Sequence, residues 1–185
     1  MRKIIVSTQA SMDAVIENPQ NWVFDYANDE FFNYAREQLF ATDALIMGRL
    51  TYEGFAEAWS SRAGADDFAD RMNSLPKYVA SRTLKDPLKW NANLIKGDVA
   101  KEISALKEQS GQNILQYGSG ELTRTLLQHG LIDEFRVLVY PVAVGAGGHL
   151  FENIEKIPMK LLEAKPFSTG VVALHYQPVK KQRSL

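Results

Sequence analysis

The chain has 185 residues, 45% of them hydrophobic and 23% charged, a soluble globular composition long enough to bury a core in one domain spanning 1–185. Its 21 Lys and Arg nearly cancel 22 Asp and Glu, so no strong field recruits nucleic acid or an anionic membrane surface. The absence of cysteine excludes disulfides, thiolate metal sites and a Cys nucleophile.

In chain order, residues 3–7 read as a buried first strand, and 10–26 as an irregular stretch, with Pro19, long enough to be a functional loop. Asn28 is placed to cap a helix whose first turn carries Asp29 and Glu30, with Phe31, Ala35 and Leu39 spaced to face a sheet. A strand at 44–47 precedes a helix over 51–59, and a short helix at 65–74 precedes strands at 77–80 and 93–95. Val99, Ile103 and Leu106 mark a helix capped by Asp98 and closing near Gly111. A strand at 113–116, a helix over 120–129 with Gly130 beyond its end, and a strand at 135–140 follow. Residues 161–167 and 171–177, joined through Ser168-Thr169-Gly170, read as a terminal hairpin. Alternation ending in a hairpin predicts an α/β fold with a mostly parallel sheet and an antiparallel edge. No apolar run approaches the roughly 18 residues of a spanning helix, and no signal-peptide core opens the chain, so a cytoplasmic location is expected.

Three of the expected strands end in turns suited to anions: Gly48-Arg49-Leu50-Thr51, Ser81-Arg82-Thr83 and Tyr117-Gly118-Ser119-Gly120. Open α/β sheets bind ligands at the carboxyl ends of their strands, where helix N-termini favour negative charge. Gly48 would let a ligand approach the backbone, Arg49 offers a planar donor fork, and Thr51 can cap a helix. The alternative is a plain strand-to-helix turn with a solvated arginine. Ser81-Arg82-Thr83 suits a ribose 2′-phosphate, or is an ordinary exposed loop. The glycine pair lacks the Gly-Lys-Ser/Thr ending of a P-loop and the third glycine of a Rossmann fingerprint. A second cluster, Gly145-Ala146-Gly147-Gly148, either lines a pocket or forms a crossover. Three such turns in one small domain point to an extended phosphorylated ligand, most simply a dinucleotide.

Taken in order, these turns resemble those of the dihydrofolate reductase-like superfamily, and more closely the reductase domain of the bifunctional riboflavin-biosynthesis enzyme and its stand-alone relatives. The anchors are Ser11-Met12-Asp13, Met47 through Glu53, Ser81-Arg82-Thr83, Gly118-Ser119-Gly120, Gly130 through Phe135, Pro141 through Gly145, and Leu150-Phe151. The resemblance implies a three-layer fold, NADPH as hydride donor and commonly a homodimer. It implies that Gly48, Arg49, Leu50 and Thr51 hold the adenosine-side phosphates and that Ser81, Arg82 and Thr83 sit near the 2′-phosphate. It further implies that Tyr117, Gly118, Ser119, Gly120, Glu121 and Leu122 wrap the pyrophosphate and that Ile16 lies near the nicotinamide. The chain departs from the pattern where the riboflavin-pathway lysine falls at Ser7, the glutamate before the glycines is Tyr117, and Ala14 replaces the motif glycine. The pterin-binding carboxylate of dihydrofolate reductases falls at Phe32, and these residues offer no His/Cys ligand set for a zinc deaminase.

Hydride transfer from a cofactor asks the protein mainly for orientation, with an acid where the product needs a proton. Asp13 is the first candidate for substrate contact or proton relay, with a turn-forming role as the alternative. Asp25 and Asp29 are weaker candidates, since carboxylates before a helix serve as caps. His129, His149 and His175 are scattered, which argues against a metal triad. Trp22, beside Phe24, Tyr26, Phe31 and Phe32, is a candidate platform for a planar substrate, or part of the core. The expected function is reduction of a small planar heterocycle, pterin- or pyrimidine-like; a binding protein that kept the fold without turnover is the alternative.

Overall fold

The structure is a computed structural model that describes residues 1–179. Along the chain run β1 (Ile4–Ser11), α1 (Asp29–Phe40), β2 (Thr42–Gly48), α2 (Arg49–Trp59), α3 (Asp67–Ser74), β3 (Lys77–Ala80) and β4 (Ala92–Leu94). They continue as α4 (Val99–Glu108), β5 (Asn113–Tyr117), α5 (Glu121–Gln128), β6 (Glu134–Tyr140), β7 (Met159–Pro166) and β8 (Val172–Pro178). The strands form one sheet in the order β4-β3-β2-β5-β1-β6-β8-β7. From β4 through β6 all pairs are parallel; β8 runs antiparallel to β6 and to β7. The parallel sheet with an antiparallel C-terminal hairpin is the expected architecture.

The parallel strands are apolar on both sides because helices cover both faces. Ile4, Val6, Ala44, Ile46 and Ile114 face one layer and meet Ile103 and Leu106 of α4 and Leu122 and Leu126 of α5. The alternate residues Ile5, Leu45, Met47 and Leu115 face the other, packed on Leu39 of α1, Tyr52 of α2 and Met72 of α3. A third cluster, with Trp22, Tyr34, Leu138, Tyr140 and Phe167, fills the space between α1 and the β6–β8 half.

Local signals set the helix ends. The Asn28 side chain accepts from the Phe31 amide, Asp66 from Ala69 and Asp98 from Lys101, each giving an otherwise unbonded first-turn N–H an acceptor. At the end of α5, the Gly130 amide donates to Leu127 O at 3.0 Å and the Leu131 amide to Leu126 O at 3.0 Å, with Gly130 at φ +63. That pairing is a Schellman closure, which favours glycine.

Three expectations are corrected. β1 does not stop at Ser7: Thr8–Ser11 leave β5 but keep β6, pairing with Val137–Tyr140. The stretch that follows is not irregular throughout, since Pro19–Asn21 and Phe24–Tyr26 form 3-10 turns. On α1 the buried stripe is Tyr34, Gln38 and Leu39, whereas Phe31 and Ala35 are half-buried, because the helix packs over β6 and β8 as well as β2.

Candidate functional site

The three turns singled out in the sequence follow β2, β3 and β5, which are adjacent parallel strands. Gly48 pairs with Ala80 and Ile46 with Gln116 in register, so the turns leave one carboxyl edge side by side. Gly48 itself has φ −78 and ψ 171, ordinary extended backbone, so its conformation does not require glycine. A Cβ there would meet nothing within 4 Å, which leaves the space above the turn open. Gly118 does need glycine: its φ is +75, and a Cβ would lie 3.3 Å from Thr51 Oγ1. That close approach brings the β2 and β5 turns together.

Inside the β5 turn, Gln116 Nε2 donates to Thr123 Oγ1 at 2.6 Å and to Gly118 O at 3.2 Å. The Gly120 amide donates to Thr123 Oγ1 at 3.3 Å. These bonds fix the entry into α5, whose first-turn amides at Glu121 and Leu122 have no intrahelical acceptor and carry the positive end of the helix dipole. Across this edge, Arg82 pairs with Glu121 at 2.9 Å, with side chains 85% and 69% exposed. Arg49 pairs with Glu53 one turn along α2, also at 2.9 Å. Ser81 Oγ accepts from the amides of Thr83 at 3.1 Å and Leu84 at 3.0 Å, which closes the turn holding Arg82.

Ile16 comes to the same edge from the other side. Its amide donates to Gly148 O at 2.9 Å, and its side chain borders a small recess shared with Ser119, Gly120 and Thr123. Asp13 is not free to relay a proton. Its carboxylate accepts from Ser11 Oγ at 2.6 Å and from the amides of Val144 at 3.0 Å and Gly145 at 2.7 Å. Those bonds, the Ser11 hydroxyl foremost, hold it ionised far below the usual carboxylate range. Asp13 is the turn-forming clamp that ties the end of β1 to the glycine cluster. Ala14, where the motif glycine is missing, sits at φ +66.

On the face covered by α1, Ser7 and Tyr117 are paired in register. Gln38 of α1 reaches down between them, Nε2 donating to Ser7 Oγ at 2.8 Å. The Tyr117 ring rests on Phe55 at 5.3 Å, while its hydroxyl is buried, and burial pushes that phenol up. Gln38 is the member of this group that sequence reasoning missed; the only signal was a glutamine within the apolar stripe of α1.

The structure does not bring Trp22 or Asp29 to this edge. Trp22 is 7% exposed and packs edge-on against Tyr140 at 5.3 Å, so it is core rather than a platform. Asp29 is exposed on α1 beside Glu30, whose carboxylate accepts from the Ser168 amide at 2.7 Å and from the Ser168 hydroxyl. The start of α1 is thereby stapled to the β7–β8 turn, away from β2, β3 and β5. Phe32, at the position of the pterin-binding carboxylate, is exposed and points outward. Asp25 lies in the second 3-10 turn. His175, on β8 between β6 and β7, is packed: its ring meets Tyr34 Oη at 2.8 Å and burial lowers its pKa. His129 is bonded to Thr125 O in its own helix, and His149 to Glu152.

A cavity of about 660 Å³ lies elsewhere, along α4 and β4 between Tyr78, Leu88, Asn93, Ile95, Ile103 and Leu106. It contains none of the three turns. The turn edge carries Arg49, Arg82 and the first-turn amides of α5, a donor set suited to anions.

A mostly parallel sheet, helices on both faces, an antiparallel terminal hairpin and glycine-bearing turns at one carboxyl edge define a three-layer α/β domain built like the dihydrofolate reductases. The chain belongs to the RibD C-terminal domain family, whose model matches residues 2–173. It is 28% identical over 182 residues to YyaP of Bacillus subtilis (strain 168), an uncharacterised protein, covering 95% of this chain and 94% of that one. A solved structure assigned provisionally to riboflavin biosynthesis, from Shewanella sp. PV-4, superposes with a TM-score of 0.75 at 22% identity, covering 96% and 99% of the two chains. The deaminase/5-amino-6-(5-phosphoribosylamino)uracil reductase of Thermotoga maritima superposes with a TM-score of 0.67 at 14% identity, over 96% of this chain and 57% of that one.

Proposed function

We propose that this chain is an NADPH-dependent reductase that delivers hydride to a small, planar, neutral heterocycle of the pterin or pyrimidine kind. The observation that carries the reading is the alignment of three anion-suited turns on adjacent parallel strands. The donor set fits a phosphorylated dinucleotide: two arginines, the first-turn amides of α5, and a glycine at φ +75 whose missing Cβ leaves room beside Thr51. Members of the RibD reductase family generally use NADPH, which supplies the hydride when bound.

In this reading Gly48, Arg49, Leu50 and Thr51 hold the adenosine-side phosphates. Ser81, Arg82 and Thr83 receive the 2′-phosphate, and Tyr117 through Leu122 receive the pyrophosphate on the α5 amides. Ile16 supplies apolar contact at the nicotinamide end. Ser7, Gln38 and Tyr117 form an uncharged floor in place of the family's lysine and glutamate, which suits a neutral ring better than a phosphorylated ribosyl substrate. Asp13 keeps the β1 loop in place, and the proton comes from solvent. The proposal includes a homodimer; the half-exposed Leu161 and Leu162 on the edge strand β7 support it, and sedimentation equilibrium reads it.

One observation favours a second reading, a binding protein without turnover: the candidate acid is fully engaged and no carboxylate of α1 faces the floor. Loss of NADPH absorbance with dihydropterin, pyrimidine and quinone substrates separates the two. Substrate-dependent oxidation supports the reductase; tight binding without oxidation supports the second reading; failure to bind either dinucleotide overturns both.

A further inference from the structure

Both arginines at the turn edge carry a carboxylate of their own. Arg49 holds Glu53 and Arg82 holds Glu121, each at 2.9 Å. The two pairs differ in kind. Arg49–Glu53 lies along one helix, four residues apart, and is the ordinary stabilising pair of an exposed helix face. Arg82–Glu121 spans 39 residues and joins the β3 turn to the first residue of α5. Glu121 therefore occupies the cation of one turn and the positive end of the helix that opens the other. Exposed as both side chains are, the pair is labile and its partners are exchangeable.

We propose that Glu121 sets the choice between NADPH and NADH by competing with the ribose 2′-phosphate for Arg82. The inference rests on the cofactor reading above and adds to it a residue with a defined direction of effect. A 2′-phosphate arriving at Arg82 must displace the Glu121 carboxylate and then sit beside it as a like charge. A ribose that keeps its free 2′- and 3′-hydroxyls needs no such exchange, because a carboxylate there accepts hydrogen bonds from the diol. Glu121 thus opposes NADPH and assists NADH, while Arg82 does the reverse. The wild-type protein discriminates less than its arginine alone would make it do.

Calorimetric titration of the wild type, Glu121→Gln, Arg82→Ala and the double variant tests this, with NADPH, NADH and adenosine 2′,5′-bisphosphate as ligands. An exposed pair of this kind is worth roughly a two- to fivefold change in affinity. Glu121→Gln is expected to tighten NADPH and the bisphosphate by about that factor and to weaken NADH. Its advantage for NADPH is expected to shrink in the Arg82→Ala background and to fade with added salt. Thermal melts of each variant confirm folding, and Glu121→Ser gives a second replacement that removes the carboxylate. If NADPH and NADH bind but their affinity ratio is the same in wild type and both Glu121 variants, Glu121 is not the selector and this inference is overturned alone. If neither dinucleotide nor the bisphosphate binds the wild type, the cofactor reading falls and the inference falls with it.

Discussion

Ser7 and Tyr117 stand side by side on β1 and β5, paired in register, at two of the positions where this chain departs from the riboflavin-pathway pattern it resembles. The two departures are therefore one structural event. A lysine and a glutamate on neighbouring strands would satisfy each other; replacing either one alone would leave a buried charge, and here both are gone. Gln38 closes the gap from α1 by donating to Ser7 Oγ.

The coupling is measurable. Ser7→Lys alone puts an ammonium into a buried site without a carboxylate and is expected to cost about 2–4 kcal/mol. Tyr117→Glu in the same chain should recover part of that loss, with a coupling of about 1 kcal/mol or more in a double-mutant cycle read by denaturant unfolding. Additive losses would show that the two side chains do not meet.

Ala14 and Gly118 make opposite predictions from the same backbone region. At φ +66, Ala14 holds a conformation that costs an L-residue about 1–2 kcal/mol. Ala14→Gly relieves this and loses about 0.4–1 kcal/mol through the freer unfolded chain, leaving a small net gain. Gly118→Ala brings both the strain of φ +75 and a Cβ at 3.3 Å from Thr51 Oγ1, and should destabilise by about 1 kcal/mol or more. Melting temperatures moving in opposite directions are the expected result.

Asp13 predicts an acid-side effect. Its folded pKa is depressed by the Ser11 hydroxyl and the Val144 and Gly145 amides, so the unfolded chain binds its proton first as pH falls. The clamp's contribution is present above the ordinary value of 3.8 and is lost progressively below it. Asp13→Asn should therefore be less stable than wild type at neutral pH, with the difference closing in strong acid. The same depression predicts no Asp13 ionisation in the pH profile of turnover between about pH 5 and 9.

Lys77 predicts an alkaline effect. It is fully buried at the start of β3, its Nζ donating to Asn73 O at 2.9 Å and lying 4.1 Å from the Trp90 ring centroid. Burial pushes its pKa down to about 8 from 10.5. Between these values the unfolded chain holds the proton and the folded chain does not, so stability rises with pH across that window. Below about 8 the charge is carried in both states and the penalty of burying it is felt in full. Lys77→Met should remove the alkaline rise, seen by urea unfolding at neutral and alkaline pH.

Local chemistry was legible where it decides structure locally. Asn28 and Asp98 cap as their positions predict, Gly130 closes α5, and the strand at 77–80 keeps the expected bounds. The three turns could be read because each follows its own strand. What could not be read depends on partners far along the chain. The second half of β1 pairs with β6, some 130 residues on, and the Asp13 clamp closes on amides 131 and 132 residues away. Trp22 could be read as a platform or as core because the residue that covers it, Tyr140, comes from a strand placed beside it only by the whole sheet order. The Arg82–Glu121 pair was hidden for the same reason: each residue is ordinary in its own turn.

Binding of a phosphorylated dinucleotide across the turns after β2, β3 and β5 is read residue by residue in two-dimensional amide NMR of the whole chain titrated with NADPH. The Gly48–Thr51, Ser81–Thr83 and Gly118–Leu122 amides are expected to shift together and saturably, with Arg82→Ala weakening the NADPH response more than the NADH response. Shifts confined to the cavity between α4 and β4, or none with either dinucleotide, would contradict it.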